Sequence, residues 1–150
     1  MRANLEKQFV DTNVLVYAHD ISAGLKHEKA KALIASLWDS GNGCISIQVL
    51  QEFYVTITTK VPRPVPSETA ASIIKDLAHW LVHSPRPADV LKAFEIQARY
   101  KVSFWDAMIL RSAQALNCTV LWSEDLNSRE QYGNVIVLNP FLPHREGRML

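Results

Sequence analysis

Several common signatures are missing from this sequence. It has no G-x-x-x-x-G-K, no G-x-G-x-x-G and no G-x-S-x-G, which removes P-loop, dinucleotide and serine-nucleophile chemistry from consideration. Cysteine is scarce: Cys44 and Cys118 sit in apolar runs and form no C-x-x-C, the pattern of reduced, buried thiols in a cytoplasmic protein rather than of a disulfide framework. No apolar run is long enough to span a bilayer, so no membrane role is expected. Met1 to Gln8 mixes Arg2, Glu6 and Lys7 with few apolar residues and shows no signal-peptide core. Charge of one sign is also lacking. Sixteen Lys and Arg against fifteen Asp and Glu give a net charge of +1, unlike a protein that coats DNA. A local basic rim could still guide a polyanion to an acidic site. Internal repeats and low-complexity segments are absent.

What remains is an ordinary globular composition, 48% hydrophobic and 21% charged over 150 residues. It suits a single domain over residues 1–150 with a sizeable core. Gln8-Phe9-Val10 reads as a buried strand, followed at once by a helix that Thr12 or Asn13 could cap. A second helix is expected from about Leu25 to Trp38, then a strand at Cys44-Ile45-Ser46 and a helix from Ile47 to about Val61. The Pro62 to Pro66 segment makes a stiff connector. Ser67 is expected to cap a helix carrying Ala71, Ile74, Leu77, Ala78 and Leu81. After Ser84-Pro85-Arg86-Pro87, helices are expected from about Ala88 to Tyr100 and from Ser103 to Leu116. Thr119 to Trp122 and Asn134 to Leu138 are apolar strands. Strands alternating with helices predict an α/β layered fold with a mostly parallel central sheet flanked by helices.

Four acids stand where strands end or helices begin: Asp11, Glu52, Asp106 and Asp125. In open α/β sheets ligands gather outside the carboxyl ends of the strands. Asp11 and Asp125 should reach that rim directly, Asp106 from the front of its helix, and Glu52 from at least one turn inside its own. Carboxylates brought together repel and need protons or a cation. A hard divalent ion, Mg²⁺ or Mn²⁺, matches oxygen donors.

Each acid has a plainer reading. Asp11-Thr12-Asn13 could be only a strand-to-helix junction. Gln48, Gln51, Glu52 and Thr59 could form a solvated helix face. Ser103-x-x-Asp106 has the spacing of a capping box. Asp125 could make a turn, and Glu124 beside it reads as solvated. His79 and His83 are four apart on an expected helix, but no Glu follows His79 and no third ligand is evident, so an ordinary helix surface is favoured over zinc. Lys26, Lys29, Lys31, Arg99, Lys101, Arg111, Arg129, Arg145 and Arg148 are candidates for guiding a polyanion, each otherwise an ordinary solvated charge. Trp38, Trp80, Trp105 and Trp122 fit core or interface packing better than base stacking.

Taken in order, Phe9-Val10-Asp11-Thr12-Asn13-Val14-Leu15-Val16-Tyr17-Ala18, Ser46-Ile47-Gln48-Val49-Leu50-Gln51-Glu52-Phe53-Tyr54, Ser103-Phe104-Trp105-Asp106-Ala107-Met108-Ile109-Leu110 and Leu121-Trp122-Ser123-Glu124-Asp125-Leu126 resemble a PIN domain of the VapC-type ribonuclease toxins. The likeness runs from about Phe9 to Phe141. It implies a three-layer PIN-like fold and a Mg²⁺- or Mn²⁺-dependent endoribonuclease. It further implies a homodimer and inhibition by a cognate antitoxin protein. Asp11, Glu52, Asp106 and Asp125 fall on the family's acidic positions, and Asn13 and Ser123 on supporting polar ones. The chain departs from many relatives where Asn127-Ser128-Arg129-Glu130 replaces an acid–glycine pair. A catalytically inactive scaffold that binds RNA or a protein partner is the alternative. A phosphatase of the haloacid dehalogenase type would need an acid where Asn13 stands.

Overall fold

The structure, a computed structural model, describes residues 6–143. Arg145, Arg148 and most of the amino-terminal segment considered above lie outside the described residues. The elements in chain order are β1 (Gln8–Val10), α1 (Thr12–His19), a 3-10 turn (Ile21–Ala23), α2 (Leu25–Ser40), β2 (Gly43–Ser46), α3 (Ile47–Thr59), α4 (Ser67–Leu77), β3 (Leu81–His83), α5 (Pro87–Tyr100), α6 (Phe104–Ala115), β4 (Val120–Trp122), β5 (Gln131–Tyr132) and β6 (Val135–Leu138).

The strands form one sheet in the order β3-β2-β1-β4-β6-β5. All neighbours are parallel except β5 and β6. A parallel sheet needs cover on both faces, and the central strands are accordingly buried without alternation: Phe9, Val10, Ile45 and Leu121 are fully inaccessible. This is the layered α/β architecture the sequence predicts. After β1 the chain adds β2 on one side and later returns to place β4 on the other. The crevice between β1 and β4 is therefore a topological switch point, where side chains following both strands can meet.

Three expectations are corrected. The helix after the proline connector ends at Leu77, and Leu81 belongs to edge strand β3, so His79 and His83 share no helix face. His83 instead faces Ser112 Oγ (2.8 Å) and Asp89 (3.5 Å). Pro66, not Ser67, occupies the N-cap of α4, because the proline already supplies the extended backbone that an N-cap requires. Strands β3 and β5 were not anticipated; both are too short to carry a period.

A buried ionic clip holds α6 in place. Asp89 accepts from Arg111 Nε (2.7 Å) and from the backbone N–H of Arg86 (2.8 Å), bonds that keep its carboxyl below the usual carboxylate range. Arg111 is thus committed to structure and withdrawn from the candidates for guiding a polyanion.

On β2, a Cβ at Gly43 would lie 2.7 Å from the ring of Trp80, a residue only 9% exposed. That rigid ring cannot withdraw as a flexible chain end would. Gly43→Ala is expected to lower the unfolding free energy by about 2 kcal/mol, read from the urea midpoint at unchanged m-value. An unchanged midpoint would show that the Trp80 contact is dispensable.

Candidate active site

Asp11 ends β1 and is itself the N-cap of α1, its Oδ1 accepting the Thr12 N–H at 2.7 Å. The sequence suggested Thr12 or Asn13 for that task, and both are employed elsewhere. Thr12 Oγ1 donates to Glu52 Oε1 at 2.6 Å. Asn13 Oδ1 accepts the Glu124 N–H at 3.2 Å. Capping and site membership are combined in Asp11, since its second oxygen faces the switch crevice. There Ser123 Oγ donates to Asp11 Oδ2 at 2.7 Å, and the same hydroxyl accepts the Asp125 N–H at 3.1 Å. Ser123 is fully buried and Asp11 is 5% exposed, while Asp125 is exposed.

Glu52 lies in the second turn of α3 and is partly buried, whereas Gln51 and Thr59 are exposed. The solvated-face reading therefore fails for Glu52 and holds for those two. Its other oxygen accepts from Gln48 Nε2 at 3.1 Å. Gln48 Nε2 also lies 3.4 Å from the Trp105 carbonyl, which ties α3 to the front of α6. At that front, Ser103 Oγ accepts the Asp106 N–H at 3.1 Å. Capping thus engages the Asp106 backbone, and the half-buried carboxylate feels the charges of Asp125 and Glu52.

The charges of these acids bear on one another. Burial pushes the Asp11 carboxyl up to about 7, against the bonds from Ser123 and Thr12, and the charges of Asp125 and Asp106 push it further in the same direction. Burial also raises Asp106; a Ser103 hydrogen bond opposes the rise, and the charges of Asp125 and Glu52 add to it. Glu124, expected to be solvated, is instead ion-paired with Lys26, whose ammonium lies 5.0 Å from the Tyr17 ring centroid and 5.5 Å from that of Phe141. A pairing across so much sequence leaves no local signal. It also engages Lys26, one of the candidate RNA-guiding cations.

Among the described residues, no three Asp, Glu, His or Cys side chains close around a single point. The donor set nonetheless suits a hard divalent ion of the Mg²⁺ kind, which takes one or two carboxylates and completes its shell with waters and substrate oxygens. The residues are all oxygen donors, and their crowding is what a cation relieves. Asn13 Nδ2 is buried beside these acids without a partner among the described residues.

Asp11 keeps its proton to about pH 7 in the fold but only to roughly pH 4 when unfolded. Its contribution to stability is complete below the unfolded value and is lost as pH rises through the folded one. In metal-free buffer the unfolding free energy should fall between about pH 4 and pH 7. Asp11→Asn should flatten that fall and exceed wild type at the alkaline end by roughly 2 to 4 kcal/mol. Urea titrations across the range test this, and parallel curves for the two proteins would contradict it.

The PIN domain family model matches residues 9–133. Comparison with curated proteins by sequence gives no match. Among solved structures, Mycobacterium tuberculosis VapC20, described as a sarcin-ricin loop cleaving toxin, superposes with a TM-score of 0.62 at 21% identity, over 79% of this chain and 92% of that one. A toxin–antitoxin complex from Klebsiella pneumoniae gives a TM-score of 0.67 at 18% identity, over 90% and 98%. VapBC2 of Rickettsia felis, bound to a DNA fragment from its promoter, gives 0.59 at 18%, over 88% and 97%. At these identities the superpositions speak to the fold. The family match spans most of the chain and includes the sequence around Asp11, Glu52, Asp106 and Asp125, so the protein belongs to the PIN domain family.

Proposed function

We propose that this chain is a divalent-metal-dependent endoribonuclease and the toxin of a toxin–antitoxin pair, acting on cytoplasmic RNA. The observation that carries the reading is the hydroxyl of Ser123, which joins Asp11 to the backbone of Asp125 on a rim where Asp106 and Glu52 also bear on the shared charge. Membership of the PIN family and the fold's likeness to toxin structures support it.

Asp11 and Asp106 are the proposed direct ligands of Mg²⁺ or Mn²⁺, with Asp125 and Glu52 as outer partners. When bound, the ion neutralises charge on the scissile phosphate and acidifies a water. The protein's own part is positional. Thr12 and Gln48 fix both oxygens of Glu52, so this carboxylate can orient the attacking water and accept its proton. Ser123 sets the angle of Asp11, and Asn13 holds the backbone of the 123–125 loop.

Two partners follow from the same reading. The neighbouring structures include toxin–antitoxin assemblies, and an antitoxin segment with a basic side chain would suit an acidic rim. Leu91 and Phe94 of α5 are 67% and 65% exposed, with Val90 at 44%. Such an apolar stripe supports the expected homodimer.

Asp106→Asn keeps the Ser103 cap, which uses the backbone, and is expected to reduce RNA cleavage at least about 100-fold with an unchanged urea midpoint or a slightly raised one. Gel assays on single-stranded RNA with millimolar Mg²⁺ read the loss. Wild-type rates in the variant would remove Asp106 from the chemistry. Absence of both cleavage and calorimetric metal binding in the unmodified protein would instead favour the inactive-scaffold reading.

A further inference from the structure

We propose that a cavity beside the acids is a nucleobase subsite, which takes an unpaired base bearing an exocyclic amino group from the strand being cut and disfavours uracil. The proposal rests on the nuclease reading for its substrate, but it is carried by residues that reading does not use.

The cavity measures about 420 Å³, within the range of small-ligand sites. It is continuous with the acid rim, for Thr12, Glu52 and Asp125 line both. Beyond them its wall is formed by Val16, Tyr17, Val61 and Pro62, with Asn13 and Thr56 among them, so that apolar groups are available to the face of a base. Asp20 also lines it. This residue is 7% exposed, and its Oδ1 accepts from the Ser22 N–H (3.0 Å) and the Ser22 hydroxyl (2.6 Å). Those bonds cap the 3-10 turn and fix the carboxyl plane. Asp20 Oδ2 accepts no hydrogen bond from a described residue. The result is a fixed, mostly buried acceptor with unused capacity on the edge of a cavity that is partly apolar.

Such an acceptor discriminates. Adenine, cytosine and guanine each carry an exocyclic N–H₂ that can donate to a carboxylate, as cytosine N4 does to Asp or Glu in duplex readout. Uracil offers only N3–H, flanked by two carbonyl oxygens that a carboxylate repels. Lys60 supplies the complementary charge. It lines the same cavity, is exposed, and has no ion pair among the described residues, so it is placed to take a phosphate of the same strand. Base edge to Asp20, base face to the apolar wall, phosphate to Lys60 and scissile bond to the acids make one continuous path.

Sequencing the ends produced from a randomised single-stranded oligoribonucleotide pool tests this on antitoxin-free protein with Mg²⁺. Wild type should disfavour uridine at one position flanking the cut by about tenfold. Asp20→Asn retains an oxygen for the Ser22 cap and should erase most of that bias. Lys60→Ala should raise KM without changing kcat or the base bias, and should reduce the salt slope by about one. A wild type without base bias, or an Asp20→Asn profile identical to it, would overturn the subsite and leave the nuclease reading standing. If no RNA is cleaved, calorimetry with the dinucleotides CpA and UpU decides. Tighter CpA binding that depends on Asp20 upholds the subsite while the nuclease reading fails, and equal binding overturns it. Loss of antitoxin binding in Asp20→Asn, with base discrimination unchanged, would reassign the cavity to protein docking.

Discussion

A single buried hydroxyl sets the geometry of the acidic rim. Ser123 gives its proton to Asp11 and takes the N–H of Asp125, bridging the ends of β1 and β4 where the sheet changes direction. Without it, Asp11 would be a desolvated carboxyl facing two other acids with only a backbone N–H in support. Even with it, burial outweighs the hydrogen bonds and the group holds its proton to near neutrality. The fold therefore contains an unfavourable electrostatic arrangement that a divalent cation would convert into a favourable one.

Rigid elements surround that arrangement. Asp11 caps α1, Ser103 caps α6, and Gln48 links α3 to the front of α6. The Asp89–Arg111 clip fixes α6 from its far side. Asp11 is thus presented by the strand-to-helix junction, Asp106 by the first turn of α6 and Glu52 by the second turn of α3, while Asp125 lies in the loop after β4. Asp125 is the most exposed of the four, and its backbone is anchored by the Ser123 hydroxyl. Precision of this kind would suit the proposed task of holding a metal and a phosphate in register.

The parts of the molecule readable from sequence are those with local causes. Asp11 and Asp125 stand out because a charged side chain directly after a buried apolar run has few places to go but the sheet's rim. The parallel sheet follows from apolar strands separated by helices. Glu52 was not distinguishable by spacing from Gln51 or Thr59, and only the family resemblance singled it out. Its place in the site depends on Thr12, forty positions away. Leu81 continued the helical period of Leu77 and was misread, since a three-residue edge strand has too little pattern to compete. The Lys26–Glu124 pair and the Asp20 cavity are tertiary features, invisible until α1, α2, α3 and the 123–125 loop are brought together.

On the reading proposed above, these acids hold a divalent cation. A crystal structure of the protein soaked in Mn²⁺, read by anomalous scattering, tests it most directly. The account predicts a strong peak between Asp11 and Asp106, with Asp125 and Glu52 reaching it through waters. Manganese found only at scattered surface carboxylates, with the rim free of anomalous signal at millimolar metal, would contradict it.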